Sequence, residues 1–313
     1  MKSPVVLAFA GGIHTSAAIP WIADTMGVEV VTVTLDVGQG HELSELRARA
    51  LACGAARAHV IDARDDFARE VLFPSLATES IESSLRGVAA LPRQQALAAL
   101  PRPLIARKLV EIARIEHAGA VAHGSTDPAF DAAARALDSS IPIIAAAREW
   151  TMSEADLVTY ARARRLPIEL SAAHDYRIEQ NLWGRIVTWT GDAMPAALRT
   201  GTAGRLDEPA PRAGARVDLH FEHGAPTSVN GVPMSPAELI ECLALIGGQY
   251  GVGQTIVSAQ GRQVLYDAPA ATILHAAVEN AGRSASADVC LTLSGGAYTV
   301  LNGGDRHALL VNA

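Results

Sequence analysis

The first half of the chain alternates short β-branched, apolar runs with stretches of helix length, and this alternation restricts the fold more than any other feature. Strand-like runs fall at 5–9, 28–35, 58–62, 120–123 and 141–144, with helical patterns at 15–26, 42–53, 65–72, 103–117 and 128–137. Strands separated by helices pair in parallel through right-handed crossovers, which predicts an α/β fold with a doubly wound parallel sheet. The runs are nearly all apolar, as expected of strands covered by helices on both faces. Ligands bind such sheets beyond the carboxyl ends of the strands. The segments AGGIHTS, DVGQG and AHGST all fall at that edge.

Beyond it the pattern changes. Ser153 and Asp156 read as a capping-box start for a helix ending near Arg164. The stretch 191–216 is rich in Gly, Pro, Ala and Thr and reads as a loop or linker. A smaller α+β segment follows, with a strand at 217–221 and a turn at Asn230-Gly231. Its helices are expected to open at Ser235 and after Asp267, and two glycine turns close a terminal hairpin or meander. Two domains are expected, at 1–166 and 167–313.

With 313 residues, 49% of them hydrophobic and 19% charged, the chain suits a soluble protein with full cores. Its net charge of -7 and the absence of any basic run argue against nucleic acid as a partner, because phosphate backbones need clustered Lys and Arg. No apolar run is long enough to span a bilayer, and the glycine-broken start does not read as a secretory leader. Cys53, Cys242 and Cys290 show no CxxC spacing and read as reduced core residues, so a cytoplasmic location is expected.

The stretch AFAGGIHTS carries the most chemistry. Two glycines before a helix start let consecutive N–H groups face an anion, and the helix dipole adds positive potential. No lysine follows, so this is not the Walker pattern. His123, beside Gly124, reads as a packed, hydrogen-bonded histidine; a transition-metal site with His14 lacks partner spacing. His220 and His223 read as solvent-facing, and Glu42 with Glu45 as a solvated helix face.

The motifs AFAGGIHTSAAIPWI, VVTVTLDVGQG, RPLIARKLVEIA, AVAHGST, REW, NLWGR and LYDAPAATIL stand in the order found in argininosuccinate synthases, and the chain resembles that family over nearly its whole length. The resemblance implies a PP-loop (HUP-like) nucleotide-binding domain at 1–166 followed by a synthetase-like domain. It implies ATP with Mg²⁺ as cofactor, and adenylation of an acceptor with release of pyrophosphate. Nucleotide contacts are then expected from Ala8, Ala10, Gly11, Gly12, His14, Thr15, Ser16, Asp36 and Gly124. Acceptor contacts are expected from Thr126, Asp127, Arg177 and Tyr266, and metal contacts from Asp36 and Asp127. The partner is a small acid or amino-acid-like molecule, and the assembly a homo-oligomer smaller than the family's tetramer.

The chain also departs from the family. The loop pattern SGGxDTS reads AGGIHTS here, so Ala10 replaces a serine and His14 an aspartate. Imidazole suits Mg²⁺ poorly. Gln94 and Ala98 stand where a tyrosine and a hydroxyl residue are expected, and the segment after AHGST shrinks to DPAFD. Arg177 and Ile186 take two serine positions. Losing several polar contacts at about 1–3 kcal/mol each argues against argininosuccinate synthesis itself. Two readings follow: an AMP- and pyrophosphate-forming ligase for another substrate, or a non-catalytic relative that binds nucleotide or a partner protein.

Overall fold

The computed structural model describes residues 2–40, 43–76, 97, 99–168, 176–201, 204–205, 210–259, 261–281 and 286–301. They form two compact units, Met1–Ala63 with Pro101–Ala172 and Arg64–Leu100 with Ala173–Ala313.

The first unit contains β1 (Val5–Ala8), α1 (Ile13–Met26), β2 (Val30–Asp36), α2 (Leu43–Ala52), β3 (Arg57–Asp62), α3 (Arg102–Ile115), β4 (Ala120–His123), α4 (Ala129–Leu137), β5 (Ile143–Ala145) and α5 (Glu154–Ala163). The five strands are parallel in the order β3-β2-β1-β4-β5. This is the predicted doubly wound sheet. Its strand order reverses between β1 and β4, so the crevice beyond their carboxyl ends is the topological switch point where such folds take ligands. Val5, Leu7, Ala17, Ile19, Ile22 and Val30 pack in one buried cluster that also takes in Trp150 and Leu157. The predicted capping box closes reciprocally at Ser153 and Asp156. Gly27 ends α1 at φ 64°, a left-handed position that glycine occupies without strain.

The second unit contains β6 (Tyr176–Asn181), β7 (Gly184–Thr190), β8 (Thr200–Gly201), β9 (Gly204–Arg205), β10 (Ala215–Glu222), β11 (Ala225–Val229), β12 (Val232–Pro233), α6 (Pro236–Gln249), β13 (Gln254–Ala259), β14 (Arg262–Asp267), α7 (Pro269–Ala281), β15 (Ser286–Ser294) and β16 (Ala297–Leu301). Sheet orders are β12-β11-β10-β15-β16 and β13-β14-β7-β6, with β8 and β9 a separate pair. The Ser235 helix start is a capping box with Glu238, and Asn230-Gly231 turns with both φ values positive.

Two readings from the sequence change here. The helical residues 64–76 group with the second unit rather than with the first 166 residues. Asp65 accepts the Ala237 N–H of α6 at 2.8 Å, and Arg64 pairs with Glu241 at 2.9 Å. The described part of 191–216 is also not all linker: it holds β8, β9, a helical turn at Ala196–Leu198 with Leu198 fully buried, and the start of β10. Gln94, Ala98, Glu42 and the chain beyond 301 lie outside the described residues.

Candidate nucleotide site and its surroundings

The loop after β1 is the centre of the candidate site. Gly11 is buried and sits at φ 75°, a left-handed conformation that favours glycine, and a Cβ there would stand 2.4 Å from Leu46 Cδ2, so Leu46 would have to shift. Gly12 is the N-cap of α1. A Cβ at Gly12 would meet nothing within 4 Å. No side chain caps α1, and no acid occupies its first turn. A helix leaves its first four N–H groups without intrahelical partners, so this end keeps its donors and its positive potential. The cradle therefore fits the phosphates of a nucleotide.

The neighbouring side chains shape the cradle. The Ala10 N–H reaches Thr15 Oγ1 at 3.4 Å, and that hydroxyl contacts the Gly12 carbonyl at 3.3 Å. Ala8 ends β1. Gly124 lies close to the same turn, because a Cβ there would stand 3.0 Å from Thr15 Cγ2 and 3.6 Å from His14 Cβ. The segments AGGIHTS and AHGST thus meet, as the strand order predicts.

Ser16 corrects an expectation. Its side chain is fully buried, beside the Cys53 thiol, and does not face the open side of the loop. Burial raises the pKa of Cys53, while the Ser16 hydroxyl and the charge of Arg49 partly offset that rise. His14 turns toward α5: its Nε2 lies 2.9 Å from Glu154 Oε1, and its ring stacks on Trp150 at 6.2 Å. Glu154 was not foreseen, since a helix-start acid far along the chain carries no local signature.

The two expected metal carboxylates are separate. Asp36 accepts the Gly38 N–H at 2.9 Å at the end of β2. Asp127 follows β4, accepts the Ala129 N–H at 2.9 Å and pairs with Arg102. The Ala129 bond and Arg102 hold the Asp127 carboxyl below its ordinary pKa. Strand β1 runs between their strands, two sheet spacings or about 10 Å apart. Among the described residues no group of three or more His, Cys, Asp or Glu is placed to hold a metal. Mg²⁺ usually takes one or two carboxylates together with substrate phosphates and water, so Asp36 or Asp127 would each offer a single carboxylate to an ion held mainly by ATP.

A buried network supports the β4 end. His123 Nδ1 accepts the Ser125 N–H at 3.1 Å, which places the ring proton on Nε2, 2.9 Å from Asp131 Oδ1. Arg148 donates to the other Asp131 oxygen at 2.6 Å. Both ring nitrogens are committed, so His123 is the packed histidine its position suggested. Thr126 is exposed on the same loop.

In the second unit Arg177 and Tyr266 share one face of the four-stranded sheet. Arg177 pairs with Thr188 and Tyr266 with Ile186, and residues 186 and 188 lie on the same side of β7. Arg177 is exposed and held by Glu179, its Nε 2.7 Å from Oε1. Ile186 is fully buried. His220 pairs across strands with Asp288 at 2.7 Å.

The chain matches the model of the arginosuccinate synthase N-terminal HUP domain over residues 4–167 and that of the C-terminal domain over 176–290. It belongs to the argininosuccinate synthase family. The argininosuccinate synthase of Brevibacillus brevis is 37% identical over 289 residues, covering 87% of this chain and 66% of that protein. That of Pelotomaculum thermopropionicum is also 37% identical over 289 residues, covering 86% and 69%. The chain thus spans about two thirds of the length of these curated relatives. The solved NMN synthetase of Francisella tularensis overlaps 53% of this chain and 63% of its own at a TM-score of 0.33 and 12% identity, too little to argue from. Family membership and the PP-loop fold agree with the sequence reading. The inference against argininosuccinate synthesis is not borne out: these curated relatives are named argininosuccinate synthases. No helix among the described residues is long and apolar enough to cross a membrane.

Proposed function

We propose that the chain is an ATP-dependent ligase of the argininosuccinate synthase type that binds the nucleotide phosphates at the Gly11–Gly12 loop. The uncapped, acid-free start of α1 at the sheet's switch point carries this reading. Bound ATP would supply its α-phosphorus to an acceptor oxygen, the new P–O bond forming as the α–β anhydride bond breaks and pyrophosphate leaves. In this chain Gly11 and Gly12 hold the backbone donors open, Thr15 fixes the loop, and Gly124 lets the β4 segment approach. On the first unit, Thr126, exposed on the loop after β4, is the proposed acceptor contact. Argininosuccinate formation from citrulline and aspartate is the first reaction to test, because the relatives carry that name.

Calorimetry with ATP, with and without Mg²⁺, tests the reading. Binding in the micromolar to millimolar range is expected, and no heat under either condition would overturn it. Pyrophosphate release with citrulline and aspartate, against a panel of other acids and amino acids, then assigns the acceptor. His14→Asp combined with Ala10→Ser is expected to tighten Mg-ATP binding by about tenfold, roughly the worth of one charge-assisted bond. Unchanged affinity would show that position 14 does not face the phosphates.

A further inference from the structure

The Gly11 carbonyl stands outside the helix ladder, because the first bond of α1 runs from the Ser16 N–H to Gly12 O at 2.9 Å. A buried carbonyl needs a donor. Arg49 supplies it: Nη1 lies 3.1 Å from Gly11 O. Arg49 occupies the last turn of α2, three residues after Leu46, so the two share a helix face. Leu46 closes on Gly11 from the same side. Cys53, four residues after Arg49, extends this stripe, and its thiol feels the Arg49 charge. One face of α2 therefore forms the floor of the loop.

The consequence follows from peptide geometry. No peptide bond among the described residues is cis, and in a trans peptide the C=O and the following N–H point in opposite directions. With Gly11 O held toward α2, the Gly12 N–H is turned away from it. Around Gly12 there is open space. We propose that Arg49 is a positioning residue, which sets the Gly11–Gly12 peptide so that its N–H faces a nucleotide phosphate and adds a fixed positive charge behind the loop. This rests on the nucleotide reading above. No local motif marks it; LRAR reads as an ordinary solvated helix face.

The test uses the intact chain with Arg49→Met and Arg49→Lys. ATP is titrated directly and adenosine, which has no phosphates, in competition with it. Arg49→Met is expected to weaken ATP about tenfold with adenosine unchanged, the loss of one charge-assisted contact. Arg49→Lys, which keeps a donor and a charge, is expected to recover most of the loss, and it also serves if the methionine variant does not fold. Unchanged ATP affinity in the methionine variant, or equal weakening of ATP and adenosine, would overturn the proposal. If the unaltered chain binds no ATP, the nucleotide reading falls and this inference with it. If it binds ATP and Arg49→Met binds equally well, only this inference falls.

Discussion

Replacing Asp267 by alanine is expected to cost about 3–5 kcal/mol, a large part of what holds a domain of this size together. Asp267 is completely buried, and Arg185, nearly so, lies 3.4 Å from its Oδ2. Gln254 donates to the other oxygen at 3.3 Å. The three residues occupy one row across β13, β14 and β7, since Gln254 and Arg185 are the register partners of Asp267. Removing the carboxylate leaves a guanidinium in a low-dielectric site without its counter-charge. The same logic predicts that changing both partners to leucine is far milder, because no charge is then stranded. Chemical denaturation of the two variants checks this. A double variant as unstable as Asp267→Ala would show that packing, not charge, governs the row. Tyr266 precedes Asp267 on β14, so loss of the row is also expected to disturb the face shared with Arg177.

The first unit was legible because its signals are redundant. Strand 120–123 and the helix opening at Ser153 match the structure closely, since a fully buried parallel strand must be apolar and a capping box is a local chemical pattern. The four-stranded sheet of the second unit was missed for the opposite reason. YRIEQN and RQVLYD do not alternate cleanly between apolar and polar positions, and the β14–β7 pairing that joins the two hairpins into one sheet links residues roughly 80 apart in sequence. Nothing local announces a strand whose hydrogen bonds close at such distance. The helical pattern at 65–72 was legible, but its packing partner, α6, is set by tertiary structure.

At the candidate site, the glycines were legible because they answer to backbone geometry. The side chains were not. Ser16 shares a motif with Thr15, yet α1 turns one residue toward the loop and the other toward Cys53, because successive helical positions diverge by about 100°. Glu154, Arg148 and Arg49 reach the edge of the sheet from elements remote in sequence, so no spacing rule finds them. The missing loop carboxylate therefore looks different in three dimensions: position 14 has none of its own, but a carboxylate, Glu154, stands 2.9 Å from it.

The network behind the β4 loop gives the second large effect, and its pH sign can be worked out. Burial is the main cause that pushes the His123 pKa down from 6.5, with Asp131 opposing and Arg148 assisting. The fold therefore holds the neutral imidazole, while the unfolded chain takes up a proton once the pH drops below about 6.5. Stability from His123 is complete above that value and declines as the pH falls toward the folded pKa. For Asp131, burial raises the carboxyl pKa, but the Arg148 hydrogen bond and His123 outweigh it and leave it lowered. Its contribution is present above about 3.9 and is lost as the pH falls through the folded value. The melting temperature is thus expected to fall from pH 7 to pH 5, and His123→Gln to flatten that slope even where it lowers stability at pH 7. Parallel slopes in the two proteins would rule out His123 as the source. Asp131→Ala strands Arg148 and unhooks His123, for an expected loss of about 2–4 kcal/mol. Because the loop from Gly124 to Asp127 is tied down by Ser125 on His123 and by Arg102 on Asp127, the alanine variant is also expected to weaken ATP binding. Asp131→Asn keeps an acceptor for the imidazole but loses the charge facing Arg148. An asparagine variant as unstable as the alanine one would place the weight of the network on the Arg148 ion pair, and one close to the unaltered protein would place it on the histidine bond.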